Sequence, residues 1–206
     1  SVYLKVDPAQ DNFSGSTHIP LKLERATRKI RLHALDIQVA RAELRRAQEN
    51  LPLTIQAGET VVSLLSSKTL PPGQYTLVLS FTGPFNRHSA GLYKFTDQGL
   101  PYLSSQFEMT DARRCFPCFD EPCFKIPYQL TVEAPKGQAV YNNCAETARQ
   151  QKGNQVVHTF AATEPIPSYL VALAVGPYQQ VKVPGLGVPG SEGHRQTRRR
   201  LARRSP

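Results

Sequence analysis

The sequence predicts an all-β domain, a mostly antiparallel β-sandwich of two sheets, and three observations carry that expectation. Apolar and polar residues alternate with a period of two over long stretches, most clearly at 13–24 and 75–81. Seventeen prolines and thirteen glycines punctuate the chain and leave little room for long helices. No segment sustains a helical period, and 206 residues suffice for one domain with its own core.

The elements follow in order. Residues 2–6 form a first strand, closed by Asp7-Pro8. Next, Phe13, Gly15, Thr17, Ile19, Leu21 and Leu23 share one face, with Ser14, Ser16, His18, Pro20, Lys22 and Glu24 on the other. That pattern describes a half-buried strand. Residues 29–35 place Ile30, Leu32 and Ala34 inward, which leaves His33 on the surface or against the opposing layer. The run 39–49 is rich in strong helix formers. Its apolar spacing makes no buried helical face, however, so it reads as strand, loop, strand. Residues 60–65 and 75–81 make a meander turned by Pro71-Pro72-Gly73. Strands at 91–95, 102–107, 128–133, 155–160 and 168–175 complete the fold.

Charge and composition exclude several functions. The formal charge is +9, but six arginines against one glutamate lie beyond Pro184, so +5 of it sits in the last 23 residues. The remaining +4 is spread over the domain as a solvated surface, and no nucleic-acid partner is expected. No apolar run reaches the length of a membrane span, and the first residues lack the regions of a signal peptide, which points to a cytoplasmic protein. The pattern breaks after residue 183, so residues 1–183 are expected as the domain and 184–206 as a disordered basic tail. Gly185, Gly187 and Gly190 spell a dinucleotide fingerprint in letters only, since no helix start follows to receive a pyrophosphate.

Cys115 and Cys118 form the only C-x-x-C among four cysteines. A closed zinc site needs four ligands, and Phe116-Pro117 between the pair suits a packed turn, so all four thiols, Cys123 and Cys144 included, read as small buried hydrophobes. The five histidines (18, 33, 88, 158 and 194) contain no H-E-x-x-H pair, so no catalytic or metal-binding residue is assigned.

The segment from Gln106 to Pro122 is the chemically unusual one. Two arginines, four acids and a glutamine stand among aromatic residues and cysteines, and charges so close to a core must be paired. Asp111 can pair with Arg113 or Arg114, whereas Gln106 and Glu108 have no obvious local partner. On an extended chain their spacing of two points both side chains to one side, an acceptor-rich patch suited to a cation or a primary amine.

This run, Gln106-Phe107-Glu108 with Thr110-Asp111-Ala112-Arg113 and Phe116-Pro117-Cys118-Phe119-Asp120-Glu121-Pro122, resembles the N-terminal domain signature of the aminopeptidase N type zinc aminopeptidases. Phe13-Ser14-Gly15, Leu32-His33-Ala34-Leu35, Gly91-Leu92-Tyr93, Tyr169-Leu170-Val171-Ala172 and Val175-Gly176 fall in the same order, so the resemblance covers about 1–183. It implies a saddle-like β-domain in which Gln106 and Glu108 bind the free α-amine of a peptide substrate. It also implies a catalytic domain, absent from this chain, that would hold the zinc and act as partner; no cofactor is assigned to this chain itself. Phe107, between the two acceptors, is expected to pack inward, and Arg113 and Arg114 to support the loop. The other reading is a stand-alone β-sandwich that binds peptides or a partner protein without chemistry.

Overall fold

A computed structural model of the chain describes residues 1–181 and 200–202. Its strands, in chain order, are β1 (Val2–Lys5), β2 (Asn12–Leu23), β3 (Thr27–His33), β4 (Gln38–Arg46), β5 (Glu49–Pro52), β6 (Thr54–Ala57), β7 (Val61–Leu70), β8 (Gly73–Pro84) and β9 (Gly91–Asp97). They continue with β10 (Leu100–Gln106), β11 (Leu130–Pro135), β12 (Ala139–Asn142), β13 (Glu146–Lys152), β14 (Gln155–Phe160), β15 (Leu173–Gly176), β16 (Gln179–Val181) and β17 (Arg200–Ala202). Short 3-10 helices occupy Ala112–Arg114 and Ser168–Leu170.

The fold is all-β, as the alternation requires, but the sandwich has one large layer and two small ones. The large sheet runs β13-β14-β11-β1-β2-β8-β4-β5, antiparallel except for the parallel pair β1 and β11. A four-stranded sheet, β12-β15-β10-β9, and a three-stranded sheet, β3-β7-β6, cover it. Both lie on the same face of the large sheet, as β8 shows. Its alternate residues Tyr75, Leu77 and Leu79 enter the core under the three-stranded sheet, while Phe81, on the same side of the strand, enters the core under the four-stranded sheet. Ile37 and Val39 pack against both cores.

The run at 39–49 is strand, turn and strand, because pairing with β8 and burial of Ala42 and Leu44 outweigh local helix propensity. The exposed face of the large sheet is polar by contrast. There Glu43, 7 % exposed, accepts from Arg41 at 2.8 Å and from Arg45 Nε at 2.7 Å, and Lys5 pairs with Glu133 at 2.9 Å. These hydrogen bonds, Arg45 foremost, hold the Glu43 carboxyl below its usual range.

Two expectations need correction. Residues 168–175 are not one strand: a 3-10 turn at Ser168–Leu170 precedes the short β15. The strands β6, β12 and β13 were not expected. In β13, Glu-Thr-Ala-Arg-Gln-Gln-Lys is exposed at nearly every position because it is the sheet edge, so it shows no apolar alternation. The tail at 184–206 falls outside the described residues, apart from β17, which pairs with β16.

Between β10 and β11 the chain leaves regular structure and crosses the seam between the two small sheets. Phe107, Ala112, Cys115, Phe116 and Cys118 sink into the core under the four-stranded sheet, and Phe119 packs against the other core. His33 and Cys118 exchange backbone hydrogen bonds of 2.9 and 3.1 Å, which ties this segment to the end of β3. The closing contact is Asp120, with no exposed surface. It accepts from Arg113 Nε at 2.8 Å, from the Arg113 backbone N–H at 3.3 Å and from Ser168 Oγ at 2.5 Å.

Asp120→Ala would strand the largely buried Arg113 guanidinium, and a loss of about 3–5 kcal/mol in urea denaturation is expected. Leu79→Ala, in the core, should cost about 2–5 kcal/mol in the same assay. Thr82→Ala, on the exposed side of the same strand, should stay within about 0.5 kcal/mol.

Candidate functional site

The strand β10 places the two acceptors. Its core-facing residues include Leu103, fully buried, and the alternation carries on past the strand end to Phe107, 2 % exposed. Gln106, the last residue of the strand, and Glu108, in the turn that begins after Phe107, are both exposed. The Phe107 ring stands edge-on to Phe116 at 5.9 Å between centroids. Gln106 Oε1 accepts the Glu108 backbone N–H at 3.2 Å, and the peptide bond from Glu108 to Met109 is cis. Among the described residues the Glu108 carboxylate enters no salt bridge, and the Met109 side chain beside it is 71 % exposed.

The neighbouring charges are committed to structure. Arg113 serves Asp120, and Arg114 pairs with Asp111 at 2.9 Å and with Asp36 on the chain after β3. Gly91 stands opposite Gln106 in the β9 and β10 ladder. It has φ +65° and lies so near Arg114 that an added Cβ would come within 2.6 Å of the arginine Cβ. A side chain there would push Arg114, and the segment behind the acceptor pair, out of place.

His33 is not a surface residue. Its side chain is 21 % exposed, and Nδ1 accepts the Asp120 backbone N–H at 3.3 Å, so it supports the segment from the far side. Alternation located its strand but gave no sign of this bond. Ser168 was missed for the same reason, since its contact with Asp120 joins positions 48 residues apart.

Cys115 and Cys118 are free and buried, and burial pushes both thiols well up, with the Asp120 charge adding to the effect at Cys118. That is the chemistry of core residues. Cys123 departs from the expectation by being exposed, and Cys144 is half-buried. Among the described residues, no three of His, Cys, Asp and Glu converge to hold a metal ion. No helix among them is long and apolar enough to cross a membrane. Surface concavities of about 430 and 410 Å³ are lined by other residues.

The Peptidase M1 N-terminal domain family matches residues 1–170. Aminopeptidase M1-D of Oryza sativa subsp. japonica is 30 % identical over 185 residues, covering 87 % of this chain and 21 % of the rice protein. Aminopeptidase Q of Felis catus is 33 % identical over 193 residues, covering 82 % of this chain and 20 % of the cat protein. Aminopeptidase M1 of Arabidopsis thaliana is 30 % identical over 181 residues, with coverage of 82 % and 21 %. The chain spans about a fifth of the length of the curated relatives it matches. The family match over most of the chain and these relatives show that the chain belongs to the M1 peptidases, through their N-terminal domain.

Proposed function

We propose that this domain supplies Gln106 and Glu108 as the anchor for the free α-amine of a peptide whose N-terminal residue is cleaved by a catalytic region outside the domain. The observation that carries this reading is the geometry at the end of β10. A buried Phe107 stands between two exposed acceptors, and the carboxylate is not used in any salt bridge among the described residues. Glu108 gives a charge-assisted hydrogen bond to an ammonium group, worth about 1.5–3 kcal/mol. Gln106 contributes a neutral acceptor and keeps the Glu108 backbone in place through their mutual hydrogen bond.

An anchor at the peptide's first nitrogen measures the substrate from its end, so the bond presented for cleavage is the first one. The zinc used by the M1 family would supply Lewis-acid chemistry, and among the described residues no three of His, Cys, Asp and Glu converge to hold it. In this reading the domain positions and does not catalyse. The 206-residue chain alone is expected to hydrolyse no aminoacyl substrate. Turnover that survives repurification and is abolished by a chelator would contradict that.

The anchor is tested in a fusion of the whole chain with the part of rice Aminopeptidase M1-D that follows its matched N-terminal fifth. Glu108→Ala should raise KM by about 10- to 100-fold with kcat little changed, and Gln106→Ala should do less. The fusion's KM should also rise above about pH 8, where the peptide's α-amine loses its proton and with it the ion pair. The Glu108→Ala variant should lack that rise. A KM indifferent to Glu108→Ala at every pH would sink the proposal.

A further inference from the structure

The net charge of +4 on residues 1–183 reads in the sequence as a spread surface, but the fold gathers it at one end of the domain. Residues 20–29, 43–49 and 66–76 contain seven lysines and arginines against three glutamates, which accounts for all of it. Strand pairing brings these stretches together. Leu23 stands opposite Gly73, Thr27 opposite Leu70, Arg45 opposite Thr76 and Arg46 opposite Glu49. Side chains tie them further: Arg28 donates to the Ser67 carbonyl, and Lys68 reaches Glu49 at 2.5 Å.

The acids of this end are already paired. Glu24 meets Lys22 at 3.0 Å, Glu43 serves both Arg41 and Arg45, and Glu49 is taken by Lys68. Among the described residues Arg25, Lys29 and Arg46 enter no salt bridge. Arg46 is held in place all the same. Its Nη1 donates to the Tyr75 hydroxyl at 3.3 Å, and the guanidinium carbon lies 5.3 Å from the centre of that ring. Tyr75 is 4 % exposed and donates in turn to the Pro71 carbonyl at 2.9 Å. A cation fixed by neutral groups keeps its full charge for an incoming anion. The field of this end is felt two residues further along β2, where burial and then the Arg45 charge hold the His18 imidazole below its usual range.

A concavity of about 430 Å³ opens here, its lining including Lys22, Arg45, Arg46, Gln74, Tyr75 and Thr76 and no acid. That volume suits a small molecule. Guanidinium forks and an ammonium beside amide and hydroxyl groups match phosphoryl oxygens, which present several acceptors at once. A nucleic acid is a poorer match, because base stacking needs exposed rings and the one aromatic residue in the three stretches, Tyr75, is buried. The place is also separate from the acceptor pair. Twelve residues of β8, about 36 Å of strand, lead from Gly73 to Pro84, and only beyond them does Asn86 pair with β9, which sets Gly91 opposite Gln106.

We propose that this concavity binds the phosphoryl groups of an oligophosphate ligand, with Lys22, Arg45 and Arg46 on its oxygens. Arg25, Arg28 and Lys68 around it draw the anion in. A free oligophosphate and a phosphorylated lipid headgroup present the same chemistry to the site. Nothing in this assignment depends on the amine anchor at Gln106 and Glu108.

Isothermal titration of the 206-residue chain with inorganic tripolyphosphate tests it, at physiological ionic strength, where charges more than about 8 Å away are largely screened. The Lys22→Gln/Arg46→Gln variant should raise Kd at least about tenfold. Arg87→Gln/Lys136→Gln, which removes two exposed cations outside the three stretches, should leave it within about twofold. Lys22→Gln alone, at an exposed position that supports no core, should already weaken binding, which separates loss of the site from misfolding. A Kd that ignores the first double variant, or rises equally in the second, overturns the site in favour of general charge attraction, the arginines beyond Pro184 included. Hexaglutamate bound as tightly as tripolyphosphate overturns the phosphoryl assignment. Sedimentation with vesicles of phosphatidylcholine and phosphatidylinositol bisphosphate reads the source. Pelleting that the Lys22→Gln/Arg46→Gln variant loses assigns the headgroup, tripolyphosphate binding without pelleting assigns a free ligand, and absence of both overturns the proposal.

Discussion

Burying an ionised carboxylate costs several kcal/mol unless donors replace the water it loses. Asp120 is fully buried and receives three, two from Arg113 and one from Ser168. Each reaches a different part of the fold. Arg113 sits on the 3-10 helix that follows the acceptor pair, Ser168 opens the turn that feeds β15, and the Asp120 backbone N–H is held by His33 from the three-stranded sheet. One side chain thus closes the irregular crossing between β10 and β11, and Gln106 and Glu108 stand where that crossing begins.

Much of this was legible in the sequence, for a definite reason. Strands buried on one side write their orientation into alternation, so β2 and β8 could be assigned face by face. The inward Phe107 followed from the same rule. The supporting bonds were not legible, because His33, Asp120 and Ser168 are brought together only by tertiary structure. Nor was the third sheet. Alternation says that a strand has a buried side, not which of two small layers covers it, and Leu79 and Phe81 look alike in sequence although they enter different cores.

The basic end shows the same limit from the other side. Its seven cations come from three separate stretches, 20–29, 43–49 and 66–76, and none of these holds more than four of them. Composition states the size of the charge and says nothing of where it meets. Register created the site: antiparallel pairing of β8 with β2 and β4 aligns positions far apart in sequence into one lining.

Phe107 lies between the two acceptors and is wedged edge-on against Phe116 inside the core. The pair therefore inherits the stiffness of close-packed interior, which yields little to stress, and not the looseness of a surface loop. For the anchor proposed above, which would register the first nitrogen of a chain and not the second, the tolerance is a fraction of the distance between successive residues. A zero mark set in a core can hold that tolerance through many encounters with substrates of differing side chain, because none of them needs to reshape it.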